Sequence, residues 1–267
     1  MYSKLPPPSK SWGQNYLINR GVKQKIINAM EVERKDILVE IGAGRGALTE
    51  MLVKKGNSVF AIEPHLESFE YLQTLFGKYD NLRLIQKDAS VFDFSEILKD
   101  KNKIYKVVGN LPYNVSTKIF SNLILTSNIA FVSVFMFQKE VAKRLTAVPG
   151  TKDYGALSVF ASLNGKTEML FDVSPGSFYP KPKVFSSVIK FYFYPNEIDW
   201  NKFKPVLQSI FSQRRKNIAN ALKSVFDKKK TEEIIDLWER DRLLRPESLF
   251  PKDYFDLYMI LERQKLV

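Results

Sequence analysis

The stretch "ILVEIGAGRGALTEML", residues 37–52, determines the fold class because it joins a buried strand to a helix through a glycine-rich turn. Apolar residues dominate its first five positions, Gly42, Gly44 and Gly46 follow, and apolar side chains then recur at helical spacing. Glycine lets the backbone turn sharply and approach a ligand closely, and the helix start offers free N–H groups. The stretch therefore predicts a βα unit whose turn is either a simple tight connection or part of a ligand site.

Strands and helices continue to alternate after this stretch. The β-rich runs predict strands at residues 36–41, 57–63, 82–88, 105–110 and 131–137. Helical apolar spacings lie between these runs, and this order is typical of a parallel sheet covered on both faces. Two later runs, 167–174 and 186–194, are expected to add antiparallel strands at the sheet edge. The predicted fold is a Rossmann-like α/β fold with a mostly parallel seven-stranded sheet.

The pattern changes near Pro195, after which only helical segments are recognisable. These predicted helices cover residues 199–212, 215–227, 231–240 and 252–264. We therefore expect a ligand-binding domain of residues 1–197 and a small all-α C-terminal domain of residues 198–267.

Composition restricts the classes of site and location. The 267 residues include no cysteine and one histidine, His65, so no disulfide framework or cysteine-based metal site is possible and no metal is predicted. No apolar run reaches the roughly 18–20 residues that span a bilayer. The amino terminus is polar and proline-rich, without the apolar core of a signal peptide. We expect a cytoplasmic protein that makes no membrane contact.

The positive charge of the chain indicates a polyanionic partner. The formal net charge is +12, and between Lys202 and Lys230 nine Lys or Arg residues stand against one acid, Asp227. A stretch of one sign suits the phosphate backbone of a nucleic acid. A solvated basic surface has the same appearance, so charge alone leaves both interpretations open.

Acidic residues at three strand ends narrow the kind of ligand that the glycine turn is expected to bind. The spacing is G-x-G-x-G rather than the dinucleotide G-x-G-x-x-G, and Glu40 precedes it on the strand. Glu63, at the end of the second strand, can accept hydrogen bonds from both hydroxyls of a ribose. Asp88, at the end of the third, can accept one from an adenine amino group. Together they favour an adenosine-bearing ligand without a diphosphate, which fits S-adenosylmethionine better than NAD.

The fourth strand ends in "NLPY", residues 110–113, at the sheet edge where open α/β sheets bind ligands. An exocyclic adenine amine is a poor nucleophile because its lone pair is delocalised into the ring. The side-chain oxygen of Asn110 and the carbonyl of Leu111 could accept both amino protons, and Pro112 would stiffen the turn. Tyr113 could stack on the base. A strand-end turn with a packing tyrosine is the simpler alternative.

Six segments occur in an order that carries a family resemblance: "GQNYL" (13–17), "VEIGAGRGALT" (39–49), "AIEPH" (61–65), "KDA" (87–89), "GNLPYNVST" (109–117) and "FYPKPKVFSSVI" (178–189). Together they resemble the rRNA adenine N6,N6-dimethyltransferases, and most closely the small-subunit (16S) group. The resemblance extends over essentially the whole chain. It implies a class I methyltransferase fold and S-adenosylmethionine as the cofactor.

The resemblance also assigns roles to residues. It implies a cofactor site made of Asn15, Leu17, Gly42, Gly44, Glu63, Asp88 and Asn110. It implies a catalytic turn, Asn110 to Tyr113, and an aromatic residue, Phe178, that sandwiches the target base against Tyr113. The family transfers two methyl groups to each of two adjacent adenosines, in a hairpin near the 3′ end of small-subunit rRNA, during ribosome assembly. A monomer acting on the assembling small subunit is expected.

Basic residues near the predicted site and in the C-terminal domain are candidates for RNA contact. These residues are Lys139, Arg144, Lys181, Lys183, Arg214, Arg215 and Lys216. The last three are predicted to start a helix, where cations oppose the helix dipole, so phosphate contact would explain their placement.

Two other functions share the fold or the chemistry. A large-subunit rRNA adenine methyltransferase of the macrolide-resistance type would keep the chemistry and change the target. "GQNYL" and the tail "RPESLFPKDYFDLYMILE", residues 245–262, fit the small-subunit group better. A non-catalytic nucleic-acid-binding factor would have lost the cofactor site, and the intact glycine turn and "NLPY" argue against that loss.

Overall fold

A computed structural model describes residues 14–267. Residues 1–13 lie outside the described residues. They include Gly13 of the "GQNYL" segment and most of the amino-terminal stretch that was considered as a signal peptide. The chain forms two compact units. One contains the described residues up to Ala142 together with Lys166–Pro195, and the other contains Lys143–Gly165 and Asn196–Val267.

Nine strands and ten helices are present in the part of the chain that the structure describes. The strands are β1 (Tyr16–Leu17), β2 (Ile37–Ile41), β3 (Val59–Ile62), β4 (Leu82–Ile85), β5 (Tyr105–Asn110), β6 (Phe131–Gln138), β7 (Gly165–Val173), β8 (Phe178–Tyr179) and β9 (Ser186–Phe193). The helices are α1 (Arg20–Ala29), α2 (Thr49–Val53), α3 (Leu66–Phe76), α4 (Ser116–Thr126), α5 (Lys139–Leu145), α6 (Ala156–Asn164), α7 (Trp200–Ser212), α8 (Ile218–Leu222), α9 (Lys228–Trp238) and α10 (Pro251–Arg263).

Seven strands form one sheet in the order β4-β3-β2-β5-β6-β9-β7. The neighbours from β4 to β6 are parallel, and β9 is antiparallel to β6. The predicted fold class is therefore confirmed, including the antiparallel addition. Because β2 and β5 are adjacent, with Glu40 opposite Val108, the glycine turn and the "NLPY" turn leave the same edge of the sheet.

The central strands are buried because side chains on both of their faces are apolar. Leu38, Val39 and Ile41 of β2, and Val107 and Val108 of β5, have no measurable exposure. A parallel sheet covered by helices on both faces requires such continuous apolar strands. The burial fixes the positions from which the polar residues at the strand ends extend.

A second, two-stranded sheet was not predicted. β1 pairs antiparallel with β8, with Tyr16 opposite Tyr179 and Leu17 opposite Phe178. The backbone N–H of Ile18 extends the connection by donating to the Ser177 carbonyl at 2.9 Å. Two-residue strands carry no periodic signal, so only the tertiary structure reveals this pairing.

The helical unit includes more of the chain than the region after Pro195. The Trp200 indole Nε1 donates to Asn164 Oδ1 at 3.1 Å, and the Tyr154 hydroxyl donates to the Leu249 carbonyl at 2.9 Å. Residues 143–165 therefore pack with the C-terminal helices, which a boundary at residues 197/198 does not anticipate. The two-domain division at that boundary stays a prediction.

The predicted helix 215–227 was too long, and the location of its basic residues changes accordingly. Helix α7 ends at Ser212 and α8 begins only at Ile218, where the Asn217 side chain accepts from the Asn220 N–H. Arg214, Arg215 and Lys216 thus follow the C-terminal end of α7 instead of starting a helix. Cations are favourable at a helix C-terminus, so the dipole argument for RNA contact does not apply to them.

Candidate active site

The glycine turn, the "NLPY" turn and the segment around β1 line one cavity that opens to solvent. Nine of the predicted site residues line it: Asn15, Leu17, Gly42, Gly44, Glu63, Asn110, Leu111, Pro112 and Tyr113. The structure thus brings together most of the predicted cofactor and catalytic positions.

Four amide groups of the glycine turn donate hydrogen bonds within the protein, to the end of β3 or to the turn itself. The Gly42 and Ala43 N–H groups donate to the Ile62 carbonyl at 2.9 and 3.2 Å, and Gly46 N–H donates to the Ala43 carbonyl at 2.8 Å. Gly44 N–H donates to Glu63 Oε2 at 2.8 Å. A loop that cradles a diphosphate must present its N–H groups to the ligand. These four amides do not, so the turn fits a ligand without a diphosphate.

Gly44 is one of the positions at which the turn needs glycine. Its φ of +56° is unfavourable for other residues, and a Cβ atom there would lie 3.1 Å from the Tyr16 ring. The Arg45 guanidinium packs over the same ring, 4.1 Å from its centroid. Tyr16 and Arg45 thus hold the β1 segment against the glycine turn. Both line the cavity, and sequence analysis assigned no role to either.

Glu63 is held rigidly at the end of β3. The side chain is 3% exposed, and its Oε1 accepts from the His65 N–H at 3.1 Å while Oε2 accepts from Gly44. Burial raises the pKa of this carboxyl, and the two backbone hydrogen bonds oppose that shift. Each carboxylate oxygen retains a further lone pair. The group can therefore accept hydrogen bonds from a ribose in the cavity.

Glu40 is a second buried carboxyl at the cavity wall. It is 2% exposed and accepts a hydrogen bond of 2.5 Å from the Thr49 hydroxyl. Burial raises the pKa of Glu40 to about 8; the Thr49 hydrogen bond acts against this shift, and the nearby Glu63 adds to it. The carboxyl is therefore mostly protonated at neutral pH.

Asn110 is oriented by a contact with the β1 segment. Its Nδ2 donates to the Asn15 carbonyl at 2.8 Å, which fixes the plane of the amide and leaves Oδ1 as its acceptor atom. Pro112 and the buried Leu111 follow at once, and the Val115 N–H closes the turn onto the Pro112 carbonyl at 3.1 Å. The turn can thus present an amide oxygen and a backbone carbonyl on a stiff frame.

Tyr113 is anchored through its hydroxyl. The hydroxyl shares a hydrogen bond of 2.5 Å with the Ser186 hydroxyl at the start of β9. Burial raises the pKa of Tyr113, so the phenol stays neutral at neutral pH. The contact fixes the ring next to the Asn110 turn. Sequence analysis missed Ser186, because nothing in "VFSSV" separates it from an ordinary strand residue.

Two predicted site residues do not line the cavity. Asp88 lies beyond β4, and its Oδ1 accepts from the Ser90 N–H at 2.8 Å. Phe178 is 3% exposed and packs in the same core cluster as Leu17 and Val188. In this structure its ring packs in the core and does not form an exposed wall of the cavity. The adenine contact of Asp88 and the base contact of Phe178 stay predictions.

The residues predicted to contact RNA differ in whether their side chains are exposed or bond to other protein groups. Arg144, Lys181, Lys183, Arg215 and Lys216 are exposed. Arg214 instead donates to Glu247 at 2.6 Å and to the Thr151 and Lys152 carbonyls at 2.9 and 2.5 Å. Lys139 pairs with Asp172. The guanidinium of Arg214 therefore ties the helical unit together, which is a structural role.

A basic groove that sequence analysis missed lies on the unit that contains the seven-stranded sheet. Its cations are Arg20, Lys23, Lys54 and Lys55, from α1 and the end of α2. Glu50 is its one carboxylate and pairs with Lys54 at 2.7 Å. Burial lowers the pKa of Lys23, and Glu50 opposes that shift. The groove therefore keeps an excess of positive charge. Its cations come from two separate segments of the chain, so they form no continuous run of basic residues in the sequence.

Two other features, a metal-ligand cluster and a membrane-spanning helix, are absent from the described residues. Between residues 14 and 267, no three His, Asp or Glu side chains are grouped closely enough to hold a metal ion. No helix among those residues combines the length and apolarity that crossing a membrane requires.

Known proteins resemble this chain over nearly its full length. The family model described as ribosomal RNA adenine dimethylase matches residues 8–257. The ribosomal RNA small subunit methyltransferase A of Malacoplasma penetrans is 38% identical over 257 residues, which cover 94% of this chain and 92% of that protein. The protein of the same name from Coxiella burnetii is 37% identical over 262 residues, or 97% and 99% of the two chains.

Solved structures show the same fold. A dimethyladenosine transferase from Plasmodium falciparum superposes with a TM-score of 0.76 at 24% identity, covering 93% of this chain and 98% of that one. The 23S rRNA methyltransferase ErmE superposes with a TM-score of 0.65 at 20% identity, covering 93% and 100%. At these identities the likeness concerns architecture alone.

Proposed function

Because the chain belongs to the ribosomal RNA adenine dimethylase family, we propose that it dimethylates two adjacent adenosines in the 3′-terminal hairpin of small-subunit rRNA, at the N6 positions. The methyl donor is S-adenosylmethionine. The observation that carries the proposal is the cavity itself, which places Glu63, the glycine turn and the Asn110 turn around one volume.

The cavity residues fit this cofactor. The internally bonded amides of the glycine turn favour a nucleoside without a diphosphate, and Glu63 offers carboxylate oxygens for ribose hydroxyls. Asn15, Leu17, Gly42, Gly44 and Asn110 line the same space. When bound, the cofactor supplies an electrophilic methyl group on a sulfonium, whose departure leaves a neutral thioether. Asp88 is proposed to approach the adenine amino group, as its position at the end of the third parallel strand suggests.

The Asn110 turn activates the target amine by hydrogen bonding. Asn110 Oδ1 and the Leu111 carbonyl accept hydrogen bonds from the amino N–H groups, which favours a pyramidal nitrogen with an available lone pair, and the methylated amine then releases its extra proton to water. Nδ2 is held by the Asn15 carbonyl at 2.8 Å, so the amide does not need to reorient when the base arrives. Preorganised groups of this kind lower a barrier because no energy is spent on arranging them. The anchored Tyr113 ring supports the base from one side.

The substrate RNA reaches the site as a flexible hairpin. A base must leave its stack before its amine can be methylated, and unpaired loops allow this more readily than duplexes. We propose that the exposed cations contact phosphates: Lys181 and Lys183 near the site, and Arg144, Arg215 and Lys216 in the helical unit, which we propose is the RNA-binding domain. The basic groove of Arg20, Lys23 and Lys55 adds a further phosphate contact. The protein acts as a cytoplasmic monomer on the assembling small subunit.

Large-subunit methylation and a non-catalytic role are the competing functions. The small-subunit relatives match 94–97% of the chain at 37–38% identity, whereas the large-subunit enzyme resembles it in fold. The intact Asn110 turn argues for catalysis.

Methyl transfer tests this function directly. Labelled S-adenosylmethionine is incubated with unmethylated small subunits, with large subunits in parallel, and the modified nucleoside is identified by mass spectrometry. Dimethyladenosine in the small subunit alone is expected. Label in the large subunit would identify the resistance-type activity instead. Absence of label despite bound cofactor would indicate the non-catalytic role.

Asn110→Ala tests the mechanism in the same assay. Loss of the acceptor should lower turnover at least about 100-fold, the scale on which a preorganised hydrogen-bonding group contributes. The fold should survive, since the variant loses one hydrogen bond worth about 1 kcal/mol. The exposed Asn114, replaced by alanine, is the matched control and should keep most activity. Equal turnover of the two variants would refute the role of Asn110.

A further inference from the structure

An exposed aromatic ring, Phe185, lies next to the proposed target site and has no assigned function. The residue is 51% exposed and immediately precedes β9. Its neighbour Ser186 is opposite Gln138, the last residue of β6, and Asn110 ends the adjacent strand β5. Phe185 therefore stands at the sheet edge that carries the Asn110 turn, where α/β sheets bind their ligands.

The next residue in the chain connects Phe185 to the target site. Ser186 is fully buried and shares the 2.5 Å hydrogen bond with the Tyr113 hydroxyl. The ring that supports the target base is thus fixed by the residue adjacent to Phe185. The ring of Phe178, in contrast, is buried in the core.

The backbone under Phe185 is firmly held while its ring stays exposed. The Phe185 carbonyl accepts from the Lys139 N–H at 2.9 Å. The Ser187 hydroxyl donates to Asp172 at 2.6 Å, and the other carboxylate oxygen of Asp172 pairs with the Lys139 ammonium. That ammonium lies 6.0 Å from the Phe185 ring centroid. The result is an exposed aromatic ring on a firmly held backbone, with a cation over the ring.

This arrangement suits a nucleobase. A base that leaves its stack deprives the next base of a stacking partner, and an aromatic side chain within reach can replace that partner. The nucleotide next to the target is tied to it covalently, so it must lie near the same edge of the sheet. We propose that Phe185 is a stacking platform for the RNA base that neighbours the target adenosine. This inference rests on the proposed function, because it needs a target base at Tyr113.

The chain supplies a matched control on the same strand. Tyr194 immediately follows β9 and is 58% exposed, so it resembles Phe185 in kind and exposure. It stands at the opposite end of the strand, away from the carboxyl ends of β5 and β6. Single exposed aromatic residues are common on protein surfaces. A difference between the two sites therefore measures location, not the loss of an exposed ring.

Steady-state methylation of unmethylated small subunits tests the platform. Phe185→Leu removes the ring and should raise KM for the subunit about 5- to 150-fold, the range that corresponds to base–aromatic stacking of ~1–3 kcal/mol. Affinity for S-adenosylmethionine should stay unchanged. Phe185→Trp restores a ring and should restore KM, and Tyr194→Leu should stay near the parent protein. Equal KM values for Phe185→Leu and Tyr194→Leu would overturn the proposal.

A binding measurement separates this proposal from the proposed function. The indole introduced by Phe185→Trp should lose fluorescence when unmethylated small-subunit rRNA is added, relative to the parent protein with its own three tryptophans. Tyr194→Trp should not respond. If the parent protein binds the RNA but transfers no methyl group, the proposed function fails and the quenching still decides the platform. Unquenched emission from Phe185→Trp in the bound complex would refute the stacking platform.

Discussion

Replacing Glu40 with glutamine should flatten the dependence of stability on pH. The carboxyl is buried at the cavity wall, and its burial raises the pKa to about 8 from the ordinary value of 4.5. Between these values the folded chain retains a proton that the unfolded chain has released. The contribution of Glu40 to stability is therefore fully present below the unfolded pKa and is lost as the pH rises through about 8.

The size of the effect follows from the two pKa values. Each unit of difference corresponds to about 1.4 kcal/mol, so between about pH 5 and about pH 8 this group should lower the free energy of unfolding by roughly 3–4 kcal/mol. In Glu40→Gln the amide does not titrate, yet its oxygen can still accept from the Thr49 hydroxyl. The variant should lose that pH dependence and keep the hydrogen bond.

Urea unfolding at a series of pH values measures the difference between the two proteins. Other titrating groups contribute equally to both curves and cancel. The gap between the free energies of unfolding of Glu40→Gln and the parent protein should widen steadily in favour of the variant as the pH rises. The exposed Glu70, replaced by glutamine, is the matched control and should follow the parent. Parallel curves for the parent and Glu40→Gln would refute the reasoning.

Two further predictions concern the stability of each compact unit. Gly46→Ala should destabilise the fold by about 1–3 kcal/mol, because a Cβ atom there would come within 2.4 Å of the Phe76 ring. Gly56→Ala has a similar positive φ but open space around it, so thermal unfolding should show a smaller loss, and equal losses would contradict the steric cause. Arg214→Ala should lower the melting temperature, since its guanidinium holds an ion pair and two carbonyls. Arg215→Ala should leave the melting temperature unchanged but weaken RNA binding and reduce its salt dependence, and the reverse ranking would contradict these roles.

The parts of the site that follow directly after strands could be predicted. Glu63 and Asn110 end or follow parallel strands, so strand alternation and residue type sufficed to bring them to one edge of the sheet. Asp88 has the same relation to β4, yet two residues separate it from Ile85, and its carboxylate accepts a hydrogen bond within its own loop. Distance beyond a strand end therefore limits what strand order alone can locate.

Other features depend on contacts that leave no local pattern. The pairing of Tyr16 with Tyr179 and the bond between Tyr113 and Ser186 join residues far apart in sequence. Phe178 is a conspicuous aromatic residue within a motif, but its ring packs in the core cluster. A local pattern does not show this packing. The short helix α8 could have been found, because Asn217 is a strong helix-capping residue type.

The pairing of β1 with β8 sets the order in which a nascent chain can gain its cofactor. Tyr16 and Leu17 leave the ribosome early, but their partners Phe178 and Tyr179 are made much later. Contacts between distant segments form only after the intervening chain is available. A growing chain that ends before β8 contains the glycine turn and Asn110, yet its β1 segment has nothing to pair with. The cofactor site of this chain is therefore completed only late in its translation.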